Sequence, residues 1–203
     1  MPDWQAEAII LSVRPHGEGS AVISVLTADY GRHAGLVRGG ASSKMRGIMQ
    51  PGNRVRVSWR ARLSEQLGQM QIELVQSIPA LLLDSPLRLS GVASMCALLD
   101  GALPEREAQP GLFEGSAALL DVIVLDDDNA GWVEGYVRWE LGLLAAVGYR
   151  LDLARCVASG QTSDLAFVSP KSGGAVARHQ AGSFASRMLA LPMFLGGVSC
   201  GKH

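Results

Sequence analysis

The chain has 203 residues, 48% of them hydrophobic and 18% charged, with a formal net charge of −1. This composition excludes a disordered polyelectrolyte, and no apolar run approaches the roughly 18 residues of a membrane span. Three cysteines, Cys96, Cys156 and Cys200, are odd in number and far apart, which fits a reducing cytoplasm better than a disulfide framework.

The N-terminus, Met1-Pro2-Asp3-Trp4, lacks the basic and apolar regions of a secretion signal. The first part then reads as strands. Ala8 to Val13 is rich in β-branched residues and is followed by a His16-Gly17-Glu18-Gly19 turn. Val22 to Thr27 is a second run, ended by Asp29-Tyr30-Gly31, and Ala34 to Arg38 is a short third, closed by Gly39-Gly40. The fourth, Arg54 to Leu63, alternates strictly. Val55, Val57, Trp59, Ala61 and Leu63 fall on one face, and Arg54, Arg56, Ser58, Arg60 and Arg62 on the other. A fifth, Gln69 to Val75, directs Met70, Ile72 and Leu74 inward. Five short strands with Gly-bearing turns predict a small barrel, for which an OB-fold and an SH3-like barrel both suit the periodicity.

Charge is segregated along the chain. Residues 1–79 hold nine Lys/Arg and six Asp/Glu, whereas residues 80–203 hold nine and thirteen. Between Tyr30 and Arg62 lie Arg32, Arg38, Lys44, Arg46, Arg54, Arg56, Arg60 and Arg62, with no Asp or Glu. Such a stretch predicts a positive field that attracts polyanions and makes binding salt-dependent. Alternate arginines on a strand lie about 6.7 Å apart, a spacing at which an extended nucleic-acid strand can follow them phosphate by phosphate. A strand edge kept soluble by charge is the competing explanation. Aromatic residues are only 5% of the chain, so contact is expected to rest on phosphates more than on base stacking, with little sequence preference.

Beyond Pro79 the pattern becomes helical. Leu87 to Leu103 and Leu112 to Leu125 predict two helices, ended by Pro104 and by Asp126-Asp127-Asp128. Trp132, Val133, Tyr136, Val137, Trp139, Leu143, Leu144 and Val147 recur at helical spacing up to Gly148. These helices are expected to form a bundle with the aromatic residues in its core. Ser159 to Gln180 is polar and Gly-rich, hence a loop or small subdomain, and Ala181 to Leu191 predicts a last helix stopped by Pro192.

Other groups carry less chemistry. Gly39-Gly40-Ala41-Ser42-Ser43-Lys44 misses the phosphate-loop spacing and reads as a flexible turn whose N–H groups and Lys44 can meet a phosphate. Asp126-Asp127-Asp128 offers carboxylates to a cation but has no companion ligands. Asp128 and Asn129 suit capping of the next helix. Cys156 and His179 can be paired on paper as nucleophile and base, although nothing in the sequence brings them together, and a lone Cys commonly packs as a small hydrophobe.

Several motifs, in order, resemble the RecO family of bacterial recombination mediators. They are His16-Gly17-Glu18-Gly19-Ser20, Thr27-x-x-x-Gly31, Arg38-Gly39-Gly40-Ala41-Ser42-Ser43-Lys44, Met49-Gln50-Pro51-Gly52, Trp139-Glu140-Leu141, Leu144-x-x-x-Gly148-Tyr149 and Phe167 to Gly174. The resemblance implies an α+β protein with an OB-fold over residues 1–79 and a helical domain over 80–203. The latter would include a zinc-ribbon-like region at about 150–180. It implies binding of single- and double-stranded DNA, annealing of complementary strands, and help in loading RecA on DNA coated by single-strand-binding protein. RecR and the C-terminal tail of single-strand-binding protein are the implied partners, in the cytoplasm at the nucleoid, with no membrane and no catalysis.

Two departures stand out. Cys156 occupies the start of a C-x-x-C-G, but Ser159 stands in its second position before Gly160, and Ala177 and Arg178 stand where a second pair would follow Gly173-Gly174. One Cys does not make four tetrahedral ligands. The expectation is therefore no zinc and no cofactor, with Cys156 as the remnant of a lost site and packing or hydrogen bonds in the metal's place. Gly201-Lys202-His203 also ends the chain earlier than the resemblance implies, and loss of a C-terminal helix would weaken the helical domain. Two other function classes compete with a DNA-binding mediator. One is a scaffold, or an RNA-binding barrel, without annealing activity; the other is a hydrolase built on Cys156 or the aspartates.

Overall fold

The structure, a computed structural model, describes residues 2–40, 42–126 and 131–198. Ala41, Asp127, Asp128, Asn129, Cys200 and the final Gly201-Lys202-His203 lie outside the described residues. Contacts divide the chain into two units, residues 1–139 and 140–203.

The first unit is built on five strands: β1 (Asp3–His16), β2 (Ser20–Thr27), β3 (Gly31–Arg38), β4 (Arg54–Arg60) and β5 (Gln69–Gln76). They close a barrel in the order β1-β2-β3-β5-β4. β1 is much longer than the predicted Ala8–Val13 because it serves two sides of the barrel. Its first half pairs with β4, from Asp3 opposite Arg60 to Ile9 opposite Arg54, and its second half with β2. A register shift between Ile10 and Ser12 marks the change of partner. Its early residues, Gln5, Ala6 and Glu7, are weak strand formers placed by these partners. A short parallel contact, Leu36 opposite Gln69, closes the barrel between β3 and β5. Inward residues of every strand fill the interior, among them Ile10, Ile23, Val25, Val37, Val55, Val57, Trp59 and Met70.

The alternation read in β4 holds for Val55, Val57 and Trp59, and Ala61 just beyond it is also buried. The strand ends at Arg60, however, so Leu63 is exposed and Arg62 belongs to the connection that follows. In β5 Met70 is buried and Ile72 half-buried, but Leu74 is exposed near the end where the ladder with β4 slips register. The predicted turn after β3 is present at Gly39-Gly40, but Ser43 and Lys44 belong to a short helix, α1 (Ser43–Ile48). Ser42 caps it by accepting from the Met45 N–H, while the Asn53 side chain donates to the carbonyls of Gly47 and Ile48.

After the one-turn α2 (Ile78–Leu81) come α3 (Pro86–Ala102), α4 (Pro110–Leu125) and α5 (Gly131–Ala146). Each of α3 and α4 starts with a proline, whose fixed φ suits a first helical residue. α3 lies against β1, where the buried Cys96 thiol donates to the Ile10 carbonyl at 3.5 Å and burial pushes its pKa up to about 12. α3, α4 and the start of α5 pack on one another. Buried Trp139 donates through Nε1 to Ser116 Oγ at 2.9 Å, Tyr136 reaches Ser94 at 2.9 Å, and the Trp132 ring lies over Gly91. Arg88 donates to the carbonyls of Ile123, Val124 and Asp126, covering the C-terminal end of α4. In the first turn of α5 the Trp132 N–H donates to the Asp126 carboxylate at 2.6 Å.

The second unit carries a sheet over the region that the sequence reads as a loop or small subdomain. β6 (Asp152–Cys156), β7 (Leu165–Val168), β8 (Gly174–Ala177) and β9 (Leu189–Ala190) lie in the order β6-β8-β7-β9. The expected helix over Ala181–Leu191 is replaced by a short α6 (Arg178–Ala181), a 3-10 turn over Gly182–Arg187 and then β9. Pairing of Leu189 and Ala190 with Val168 and Phe167 overrides their helical propensity. Cys156, Leu165, Ala175, Val176, Ala177, Ala181 and Leu191 form the core of this unit.

Candidate nucleic-acid interface

On the outer face of the barrel, cross-strand pairing puts β4 between β1 and β5. Arg60 therefore sits between Asp3 and Gln69, Ser58 between Gln5 and Gln71, and Arg56 between Glu7 and Glu73. The Arg56 guanidinium approaches Glu73 at 3.8 Å. The acid-free stretch of sequence thus acquires carboxylates from its neighbouring strands.

Two of the eight cations are built into the packing of helices on the barrel. Arg32 donates to the Leu103 carbonyl at 2.8 Å and faces Asp100 and Glu105, each at 3.5 Å. Arg54 donates to the Ala117 carbonyl and pairs with Asp121 at 2.9 Å. Both side chains are mostly buried, and removing either would leave α3 or α4 with unmet partners.

The remaining five, Arg38, Lys44, Arg46, Arg60 and Arg62, are exposed and make no side-chain hydrogen bond or ion pair among the described residues. Arg38 ends β3, Lys44 and Arg46 ride on α1, Arg60 ends β4, and Arg62 follows it. Arg38, Met45 and Arg60 line one cleft of about 630 Å³ between the ends of β1, β3, β4 and β5. Half-buried Leu36 and Ile72 and polar Gln5, Ser58 and Gln71 also line it, while the neighbouring Trp59 and Met70 are almost fully buried in the barrel core. Asp3 is the carboxylate on its lining.

The core beside the cleft is rigid. Trp4 stacks on Tyr30 at 4.3 Å and on Trp59 at 5.8 Å, while the His33 ring meets Trp4 and Trp59 edge-on at 5.0 and 4.7 Å. Trp59 Nε1 donates to the Leu67 carbonyl at 2.9 Å, pinning the β4–β5 connection. Gly68 permits this close approach, since its φ is +67° and a Cβ there would lie 2.5 Å from Trp59 Nε1. Burial, then the Arg106 charge, lowers the His33 pKa from 6.5 to about 4, so the imidazole is neutral near pH 7. Trp4 and Trp59 are opposite each other in the β1–β4 register. That long-range pairing is why the sequence gives no sign of the cleft, although Trp59 reads correctly as inward.

The other candidates are not assembled into sites. The turn at Gly39-Gly40 leads into α1, which has too few residues for an anion site of its own. The Asp126 carboxylate is taken up by the Trp132 N–H. His179 faces Asp164 at 3.9 Å, whereas the Cys156 sulfur accepts the Ala177 N–H at 3.3 Å. Burial works to raise the Cys156 thiol, but hydrogen bonds from Ala177, Ser159 and Ala158 outweigh it and bring the pKa from 9.0 to about 7. These residues do not fit zinc. Among the described residues Cys156 is the one cysteine of this apolar cluster, where it packs with Leu165, Ala175, Val176, Ala177, Ala181 and Leu191, and the Ala177 N–H is turned toward its sulfur. No group of three or more His, Cys, Asp or Glu suited to a metal ion occurs among the described residues. Nor is any described helix long and apolar enough to cross a membrane.

Comparison with known proteins adds a family to this geometry. Models described as recombination protein O N terminal and recombination protein O C terminal match residues 1–78 and 83–202. The chain belongs to the RecO family. It is 49% identical over 201 residues to a DNA repair protein RecO of Rhodospirillum centenum, covering 98% of this chain and 79% of that relative. A DNA repair protein RecO of Jannaschia sp. is 47% identical over 201 residues, covering 99% and 81%. One of Rhodospirillum rubrum is 44% identical over 197 residues, covering 96% and 78%. RecO membership gives the chain a role in DNA repair and recombination.

Proposed function

We propose that this RecO chain is a non-enzymatic DNA-binding mediator that holds single- and double-stranded DNA by its phosphates and anneals complementary strands. The observation that carries the reading is the set of five cations without side-chain partners among the described residues, Arg38, Lys44, Arg46, Arg60 and Arg62, three of which border or closely follow the cleft edge. Neutralising two strands lowers their mutual repulsion, so pairing proceeds without nucleotide hydrolysis or a metal. In this reading the barrel is an OB-fold, which the strand order and the parallel β3–β5 closure support. The β6–β9 sheet is a zinc-ribbon-like element that does without metal. RecR and the C-terminal tail of single-strand-binding protein are its partners in loading RecA, in the cytoplasm at the nucleoid.

The test is annealing of complementary oligonucleotides, together with anisotropy of a labelled single strand, by wild type and by a variant carrying Arg38→Glu, Arg60→Glu and Arg62→Glu. The expected result is loss of both activities with an unchanged melting temperature. Unchanged annealing by the folded variant overturns the assignment. A second reading, a protein-binding scaffold, draws on the exposed Leu81, Leu83 and Leu87 around the start of α3. It predicts that the same triple variant still captures its protein partner.

A further inference from the structure

Lys44 and Arg46 are two of the five cations without side-chain partners among the described residues, yet the helix that presents them is poorly suited to stand alone. α1 has six residues, one of them Gly47, and a helix so short is marginal in water. Its order must come from what it is tied to. We infer that Asn53 is a positioning residue for DNA binding: buried at the C-terminal end of α1, it holds the helix that sets Lys44 and Arg46 against phosphates. The inference rests on the DNA-binding reading above and deepens it by naming what fixes this part of the interface.

Three features carry it. The first is the set of carbonyls at the end of α1, since the last four carbonyls of a helix have no partner within it. The Met49 N–H donates to that of Met45, and the Gln50 side chain donates to that of Arg46, each at 2.8 Å. Asn53 Nδ2 donates to the other two, Gly47 at 3.3 Å and Ile48 at 2.8 Å. Second, Asn53 is fully buried, and its Oδ1 has no partner among the described residues. Burying an amide with one atom unmet is unfavourable, so core packing alone does not account for it. Third, Asn53 does not travel with α1. Its N–H donates to the Gln50 carbonyl and its carbonyl accepts from the Ile10 N–H, both at 3.0 Å, while the Gly52 N–H donates to the Ile10 carbonyl at 2.8 Å. Gly52 has φ of +90°, and a Cβ there would lie 2.3 Å from Val92 Cγ1, so α3 closes this turn from the other side. The turn is thereby fixed to β1 and to α3 at once. Met45 and Ile48 pack on the barrel core, which leaves Lys44 and Arg46 exposed.

Ordering a six-residue segment at each encounter would cost conformational entropy. With α1 already held, its two cations meet phosphates without that cost. Loss of the Asn53 amide lets α1 fray, and Lys44 and Arg46 then ride on a loose loop and drop out of the contacts. An Asn53 with a structural role alone would lower stability and leave the DNA contacts of folded molecules unchanged.

The experiment is a double-mutant cycle on the full chain, read as the salt slope of anisotropy titrations of a labelled single strand. Each phosphate contact contributes about −0.7, so five cations give about −3.5 and three give about −2.1. Asn53→Ala should bring the slope to about −2.1, as should Lys44→Ala with Arg46→Ala, and all three substitutions together should bring it no further. Titrations are run well below the melting temperature of each variant, so that a loss of global stability does not enter. A slope of folded Asn53→Ala equal to that of wild type overturns the inference. So does a triple variant whose slope is clearly shallower than that of the Lys44→Ala, Arg46→Ala protein. If that protein binds as wild type does, α1 lies outside the interface and the inference falls, with the phosphate reading left to Arg38, Arg60 and Arg62. Failure of wild type to bind at low salt removes the DNA-binding reading itself, a result distinct from the others. Amide exchange in wild type decides the matter if Asn53→Ala does not fold. The Arg46 and Met49 N–H groups, which donate to the Ser42 and Met45 carbonyls, should be protected in the free protein. Exchange there at the rate of an unfolded chain, slowed only when DNA is added, overturns the inference.

Discussion

His33 is a neutral imidazole held edge-on between two indoles, and neither ring nitrogen finds a hydrogen-bond partner among the described residues. Its pKa falls from 6.5 to about 4 on folding. In the interval between these values the unfolded chain binds a proton that the folded chain refuses, so stability rises with pH across it and is lost as the solution is acidified. Full protonation of the unfolded state in that interval corresponds to roughly 3 kcal/mol. Urea midpoints measured at pH 7.5 and pH 4.5 should therefore separate for wild type and come closer together in His33→Leu. Equal separations in the two proteins would show that other groups carry the acid sensitivity. Gly31 is a second residue with a sharp requirement, and it explains the Thr27-x-x-x-Gly31 motif. Thr27 Oγ1 accepts from the Tyr30 N–H and donates to the Gly31 carbonyl, and Gly31 turns with φ of +60°. A Cβ at Gly31 would fall 1.9 Å from the Glu107 carbonyl oxygen. Gly31→Ala should cost more than about 2 kcal/mol, since strain and a backbone clash act together. A chemical-denaturation curve reads this directly.

At the scale of elements, what the sequence reveals is whatever depends on neighbours in the chain. The alternation of β4, the helical stripe of α5 and the five-strand count are local, and the barrel and helices appear nearly where periodicity puts them. The β6–β9 sheet is not legible, because its strands of two to five residues are held by long-range pairing and carry little alternation. Charge is the instructive case. The row Arg54, Arg56, Arg60 reads as one stripe, yet α4 takes the first, Glu7 and Glu73 flank the second, and only the third opens on the cleft. Arg54 and Arg60 should therefore behave oppositely when replaced by alanine. Arg54→Ala removes the partner of Asp121 and of the Ala117 carbonyl and should lower stability by about 1–3 kcal/mol, with DNA affinity per folded molecule unchanged. Arg60→Ala should leave the melting temperature alone and weaken binding of every sequence alike. The pair of variants, compared by thermal melts and by anisotropy, separates a structural cation from a binding one. If both lose DNA affinity and neither loses stability, α4 does not hold Arg54.

For the whole molecule, the formal charge of −1 hides a net positive segment, residues 1–79, followed by a net negative one, residues 80–203, and the number of cations that engage DNA can be counted by salt. Each phosphate neutralised on a single strand releases condensed counterions, and log K falls with log salt at about −0.7 per contact. If all eight cations between Tyr30 and Arg62 tracked the backbone, the slope would approach about −5.6. The five without partners among the described residues predict about −3.5, because Arg32 and Arg54 stay in their helix contacts and Arg56 is flanked by two glutamates. Arg38→Ala with Arg60→Ala should bring the slope near −2. A wild-type slope close to the larger value would mean that DNA pulls Arg32 and Arg54 away from α3 and α4. In that case binding would loosen the helices from the barrel, and amide exchange in α4 would rise when DNA is added. A slope near the smaller value, with exchange in α4 unaltered, means that the barrel binds DNA as it stands and the interface is preformed. The second outcome is expected. Freeing Arg54 would leave Asp121 and the Ala117 carbonyl without their partner, whereas Arg38, Lys44, Arg46, Arg60 and Arg62 have no such contacts among the described residues to give up.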